Sequence, residues 1–98
     1  MGRIRQRYLD QVKSLVSQKG EVFPVNIEIT DTGGKTIAKG EFHSDGEITV
    51  YSNPSLNIKS CRYENPSAMR QDIVASNCAT YKYIKYKGKT LSEHGVSG

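Results

Sequence analysis

From residue 3 to residue 19 the apolar side chains recur three and four positions apart. Ile4, Tyr8, Val12 and then Leu15 or Val16 line one face, with Leu9 beside them, while Arg3, Arg5, Arg7, Lys13 and Lys19 lie mostly off it. That is the period of an amphipathic helix, and Gly20 is a natural stop for it. The period then changes to two. Val25, Ile27 and Ile29 alternate with Asn26, Glu28 and Thr30, which predicts a strand with one buried face. Pro24 stands at its start, where a missing N–H does little harm. Asp31-Thr32-Gly33-Gly34 predicts a hairpin turn, because these residues tolerate positive φ. A second strand follows over Thr36–Phe42 with Ala38 and Phe42 inward. Ser44-Asp45-Gly46 turns the chain again, and Glu47–Tyr51 is a third strand with Ile48 and Val50 inward. Strands joined by such short turns form an antiparallel meander.

Ser52–Ser60 is polar and contains Asn53-Pro54-Ser55, so it reads as a loop, with Cys61–Tyr63 a short extended segment after it. Asn65-Pro66-Ser67 opens a second helix: asparagine is a good N-cap and proline suits the first helical position. Ala68, Met69, Ile73 and Val74 supply its buried stripe, and Asn77 ends it. Tyr81–Lys87 is a last strand, Gly88 turns the chain, Leu91 is the last anchor, and 92–98 reads as a frayed tail. The expected fold is α+β: a helix, a three-stranded antiparallel meander, a helix and a C-terminal strand, with both helices packed on one sheet face. At 98 residues and 36% hydrophobic side chains the chain is one domain, 1–98, with one small core.

Charge divides the chain more sharply than hydropathy does. The net is +4 overall, made of +4 over residues 1–19, −4 over 20–50 and +4 over 51–98. An uneven field of this kind steers oppositely charged partners. The densest basic run is Lys82, Lys85, Lys87 and Lys89, interleaved with Tyr81, Tyr83 and Tyr86. As a strand it turns Tyr81, Tyr83, Lys85 and Lys87 to one side, and Lys82, Ile84 and Tyr86 to the other, where Ile84 and Tyr86 suit the core. Two readings stay open. Phenols that stack and lysines that neutralise phosphates make a nucleic-acid face; lysines along a sheet edge also guard it against aggregation. Arg3, Arg5 and Arg7 are likewise a phosphate or minor-groove arm, a solvated helix face, or partners for Asp10 and the acidic meander.

Catalytic chemistry is not expected. Gly34-Lys35-Thr36 and Gly88-Lys89-Thr90 resemble the end of a phosphate-binding loop, but Ile29 and Tyr83 stand where that loop needs its first glycine. His43, Ser44 and Asp45 are neighbours in one turn rather than groups converging from a scaffold. Cys61, Cys78, His43 and His94 lack zinc spacing, so neither metal nor cofactor is expected. The two cysteines read as small partly buried hydrophobes in a reduced compartment, and no disulfide is predicted. No apolar stretch is long enough for a membrane helix and none follows the basic start as a secretory signal would, so the cytoplasm is the expected compartment.

Several short pieces taken together resemble the restriction-enzyme-and-adenine-methylase-associated (RAMA) domains. They are Ile37-Ala38-Lys39-Gly40-Glu41-Phe42, Asp45-Gly46-Glu47-Ile48, Tyr63-Glu64-Asn65-Pro66-Ser67-Ala68, Tyr81–Tyr86 and Gly88-Lys89-Thr90-Leu91. The family pattern is an A-x-G/D strand, a D-G turn, an S-P-S-A helix start and an aromatic strand ending G-K-x-L. The likeness runs from Val25 to Leu91; Tyr81 and Ile84 stand in place of the family's last-strand tryptophans, and Asn65 in place of a serine. The resemblance implies a DNA-binding module, reading methylated adenine, in a restriction or anti-restriction setting. It implies that Asn65, Pro66, Ser67 and Ala68 set a helix start whose free N–H groups meet a phosphate, that Tyr81 takes the aromatic role, and that Lys89 flanks the face. The expected DNA contacts are therefore Arg3, Arg5, Arg7, Asn65, Ser67, Tyr81, Lys82, Tyr83, Lys85, Lys87 and Lys89. The alternative is a protein-interaction module, such as a phage- or mobile-element-encoded inhibitor of a host enzyme, using Glu28, Glu41 and Glu47.

Overall fold

The structure is a computed structural model and describes residues 5–77 and 83–97. The elements are α1 (Gln6–Gln18), β1 (Val25–Thr30), β2 (Thr36–Phe42), β3 (Ile48–Val50), β4 (Cys61–Tyr63), α2 (Pro66–Asn77), β5 (Tyr83–Tyr86) and β6 (Lys89–Thr90), with a 3-10 turn over Pro54–Leu56. The class is α+β, but the expected meander plus one strand is corrected. Among the described residues the sheet has six strands, all antiparallel, in the order β4-β3-β2-β1-β5-β6.

Two features make the difference. Cys61–Tyr63 does not stay outside the sheet: it pairs with β3 through Ile48↔Tyr63 and Val50↔Cys61. At the other end, the single strand expected over Tyr81–Lys87 stops at Tyr86. Lys87 at φ 51 and Gly88 at φ 84 make a two-residue turn, and the chain folds back as β6. Positive φ at both central positions matches the right-handed twist of a hairpin. Because β5 lies against β1, the first strand of the meander becomes interior.

The pairing lays apolar residues in rows on one sheet face. Val25, Phe42, Ile48 and Tyr63 form one row; Ile27, Gly40, Val50 and Cys61 form the next; Ile29, Ala38 and Ile84 form a third. Leu9, Val12, Leu15 and Val16 of α1 and Met69 and Ile73 of α2 join the buried apolar residues of these rows in one cluster, with Tyr63 partly buried against it. Cys61, expected to be partly buried, is instead exposed because it ends its row on the edge strand, and Cys78 lies outside the described residues. The other sheet face carries Asn26, Glu28, Lys39, Glu41, Thr49, Arg62 and Lys85 and is exposed or half-buried. A register slip between Ile29 and Thr30 interrupts the ladder to β2. The Asn53 side-chain amide donates to the Ile37 carbonyl there at 2.6 Å, tying the 52–60 loop to the sheet.

The tail expected to fray is packed over residues 92–97. Thr90 and Glu93 form a reciprocal cap, with the Glu93 N–H on the Thr90 hydroxyl at 3.1 Å and the Thr90 N–H on the Glu93 carboxylate at 2.8 Å. The turn closes at Gly95, φ 97, with the Val96 N–H on the Leu91 carbonyl at 2.9 Å. Such a closure brings the residues at its two ends together, and Leu91 and Val96 are both buried. The His94 ring nitrogen Nε2 donates to the Tyr86 carbonyl at 2.6 Å. Leu91→Ala is expected to cost about 2–4 kcal/mol, as for other buried leucines. Urea unfolding followed by circular dichroism measures it, and an unshifted midpoint would mean that the tail adds nothing to the core.

Candidate nucleic-acid interface

The hairpin β5–β6 presents the basic residues as strand geometry dictates. Ile84 and Tyr86 are buried, Tyr83 is 38% exposed, and Lys85 shares Tyr83's side of the strand. Lys87 stands in the turn and Lys89 is exposed on β6. Arg7 and Lys13 are exposed because they lie off the buried stripe of α1, and Arg5 and Lys19 are exposed because they cap its two ends, beyond the buried residues. Arg3, Tyr81 and Lys82 lie outside the described residues.

These two basic segments are far apart in sequence and joined in space at two places. The first is Glu21. The helix closes with the Gly20 N–H on the Ser17 carbonyl at 3.0 Å and the Glu21 N–H on the Val16 carbonyl at 3.1 Å, with Gly20 at φ 70. This closure requires the positive φ that glycine adopts at no steric cost. It directs Glu21 to the hairpin, where the Tyr86 hydroxyl donates to Oε1 at 2.7 Å and Lys87 Nζ lies 3.0 Å from Oε2. The second is the tail: the Ser97 N–H donates to the Gln11 side chain at 2.7 Å. Gln11 lies one helical turn beyond Arg7, on the same side of α1.

The electrostatics follow this junction. Residues 5–21 and 83–97 together carry seven basic and three acidic side chains, a net of +4, whereas residues 22–77 carry five basic and seven acidic, a net of −2. Two of the three acids within the basic region, Glu21 and Glu93, are tightly used, and the third, Asp10, accepts from the Gln6 side chain at 2.7 Å. The Tyr86 hydroxyl, and after it Lys87, holds the Glu21 carboxyl below its ordinary range. Hydrogen bonds from the Thr90 backbone and hydroxyl do the same for Glu93, with the charges of Lys85 and Lys89 adding to them. Burial, and then the bond to Glu21, pushes the Tyr86 hydroxyl up. Lys85 faces Glu28 across the sheet, and Glu28 faces Lys39, so that row alternates in sign.

Asn65 and Ser67 are not part of this surface. Asn65 is buried and its side-chain oxygen accepts the Ala68 N–H at 2.8 Å, which uses it as the helix cap. The start of α2 follows β4, and β4 and β6 are opposite edges of the sheet. Five strand spacings of about 4.8 Å put those edges roughly 24 Å apart. On the solvent side of the sheet, Glu41, Glu47 and Glu28 stand together with His43, whose Nε2 is 2.8 Å from the Thr49 hydroxyl and 4.0 Å from Glu41. Arg62 pairs with Glu47 and lies 3.9 Å from Asp45.

No family model, curated protein or solved structure matches the chain.

What the surface can do is set by its own side chains: ammonium and guanidinium groups, one exposed phenol, and carboxylates already bonded among them. Among the described residues no helix is long and apolar enough to cross a membrane, and no group of three or more His, Cys, Asp or Glu side chains could hold a metal ion. Sequence reasoning missed Glu21 and the Thr90–Glu93 cap. The first was signalled by the helix-stopping glycine that precedes it, the second by the spacing Thr-x-x-Glu.

Proposed function

We propose that this chain is a small, non-catalytic, cytoplasmic DNA-binding module that holds duplex phosphates with the edge formed by α1 and the β5–β6 hairpin. The observation that carries this reading is the junction of the two basic segments through Glu21 with Tyr86 and Lys87, and through Gln11 with Ser97. Phosphate neutralisation by Lys85, Lys89, Arg5, Arg7 and Lys13 supplies the affinity, and the Tyr83 ring, 38% exposed on the solvent side of β5, supplies stacking. The resemblance to RAMA domains points the same way and adds methylated adenine as the base to compare.

Affinity for a mixed-sequence duplex is then expected to fall linearly with salt on a log–log plot, with a slope of about −0.9 for each phosphate neutralised. Each of Arg7, Lys85 or Lys89 replaced by glutamine lowers that slope by about one. Fluorescence anisotropy at several salt concentrations measures both, with adenine-methylated and unmethylated duplexes side by side. Salt-insensitive binding, or none at low salt, contradicts the reading.

The acidic side chains support a second reading, a protein-interaction module, because Glu28, Glu41 and Glu47 occupy the same solvent-facing side of the sheet. Reversing all three to lysine abolishes capture of a protein partner and spares DNA binding. Capture of a protein partner that survives this change contradicts the second reading and favours the first.

A further inference from the structure

We infer that the Tyr86 hydroxyl and the Lys87 ammonium form a phosphate-binding subsite that Glu21 occupies in the free protein and yields to a DNA backbone phosphate. The inference rests on the DNA-binding reading and adds to it an order of engagement, with Lys87 taking a phosphate only after Glu21 yields it.

The two donors converge on one anion. The Tyr86 hydroxyl donates to Oε1 and Lys87 Nζ to Oε2 of the same carboxylate, at 2.7 and 3.0 Å. A phosphodiester offers two non-bridging oxygens that accept in the same manner, with its charge shared between them. The ammonium is also held against the hairpin, 5.8 Å from the Tyr86 ring centroid, so its position does not depend on Glu21 alone. Tyr86 is anchored in the core, and the His94 ring donates to its carbonyl. The donors therefore stay in place when their anion changes, and the Ser97–Gln11 bond and the shared core keep α1 beside the hairpin when Glu21 lets go.

The anion they hold is the movable part. Glu21 lies in the segment between α1 and β1, and its side chain is 37% exposed against 43% for Lys87, so solvent and ligand reach the pair. Exposed ion pairs are weak. A polyanion that already engages Lys85, Lys89 and the α1 arginines brings a high local concentration of phosphate to this carboxylate. While Glu21 remains, it cancels Lys87 and repels the incoming backbone.

The experiment compares a short mixed-sequence duplex binding to the wild-type chain, Glu21→Gln, Glu21→Gln with Lys87→Gln, and Glu64→Gln. Glutamine at 21 still accepts from the Tyr86 hydroxyl, and Glu64 follows β4 at the opposite sheet edge. Glu21→Gln is expected to bind about three- to tenfold more tightly at low salt, with a slope steeper by about one. The added Lys87→Gln removes that gain, and Glu64→Gln changes affinity less than about twofold because solvent and salt screen it. In the wild-type chain, the Glu21 carboxyl carbon and the Tyr86 ring resonances shift together on adding duplex, a readout that does not depend on any variant folding. Duplex binding by the wild-type chain with no gain in Glu21→Gln, or an equal gain in Glu64→Gln, overturns the subsite and leaves the DNA-binding reading standing. No binding by either the wild-type chain or Glu21→Gln overturns both.

Discussion

Gly40→Ala is expected to lower the stability of the fold by about 3–5 kcal/mol, the upper end of what single core substitutions cost. A β-carbon at position 40 would stand 2.1 Å from the Thr49 carbonyl oxygen, 3.1 Å from its carbon and 3.3 Å from the Val50 Cα. All three are backbone atoms, so no side chain can swing aside. The strands cannot separate cheaply either. Gly40↔Val50, Glu41↔Thr49 and Phe42↔Ile48 are paired, and the Tyr51 N–H donates to the Lys39 carbonyl at 2.8 Å. Gly40 also lies in the buried row with Ile27 and Val50, so relief would open the core. A domain of this size has about 5–15 kcal/mol in total, and such a loss leaves much of the population unfolded at moderate temperature. Urea unfolding by circular dichroism measures it. Gly33→Ala is the control: its β-carbon meets only the Asp31 carboxylate at 3.4 Å, and a change within about 1 kcal/mol is expected. A wild-type midpoint for Gly40→Ala would mean that β2 and β3 are not this close.

The second large effect is on binding. Replacing Arg5, Arg7 and Lys13 by glutamine removes three cations from α1; replacing Lys85 and Lys89 removes two from the hairpin. Each set alone is expected to weaken duplex binding by about ten- to a hundredfold at low salt, and both together by about a thousandfold, because each lost phosphate contact removes its counterion release. The two sets reduce the salt slope additively if they contact different phosphates of one duplex. Lys59→Gln with Arg62→Gln, at the β4 edge and its approach, changes affinity little. An effect of that pair as large as either edge set would contradict the assignment of the surface.

Much of the fold was legible because its signals are local. Val12, Leu15 and Val16 at helical spacing, Val25, Ile27 and Ile29 at strand spacing, and the Asp31–Gly34 and Ser44–Gly46 turns all state their structure within a few residues. The alternation that turns Tyr83 and Lys85 outward and Ile84 and Tyr86 inward is equally local, and the structure has it. The sheet's extent was not legible. Cys61-Arg62-Tyr63 is too short for a period, and only its pairing with β3 makes it a strand. The break after Tyr86 depends on Lys87 adopting positive φ, which nothing in a lysine announces. The placement of β5 beside β1 is a long-range fact, set by which edge the chain reaches after α2.

For the candidate site, residue type was legible and proximity was not. The lysines and arginines are plain in the sequence; that α1 meets the hairpin through Glu21 and Gln11 is visible only after folding. The same distinction separates Asn65 and Ser67 from the rest. Their helix-start chemistry was readable, and Asn65 does cap α2, but the sheet order puts them at the other edge.

The central claim is that two distant basic segments act as one DNA-contacting surface, and mapping amide chemical shifts by NMR as duplex is added tests it most directly. The account predicts that resonances from both 5–21 and 83–97 move together with a single apparent affinity, while those around Arg62, Asn65 and Ser67 stay fixed. Shifts confined to one segment, or centred on Glu41, Thr49 and Arg62, would contradict it.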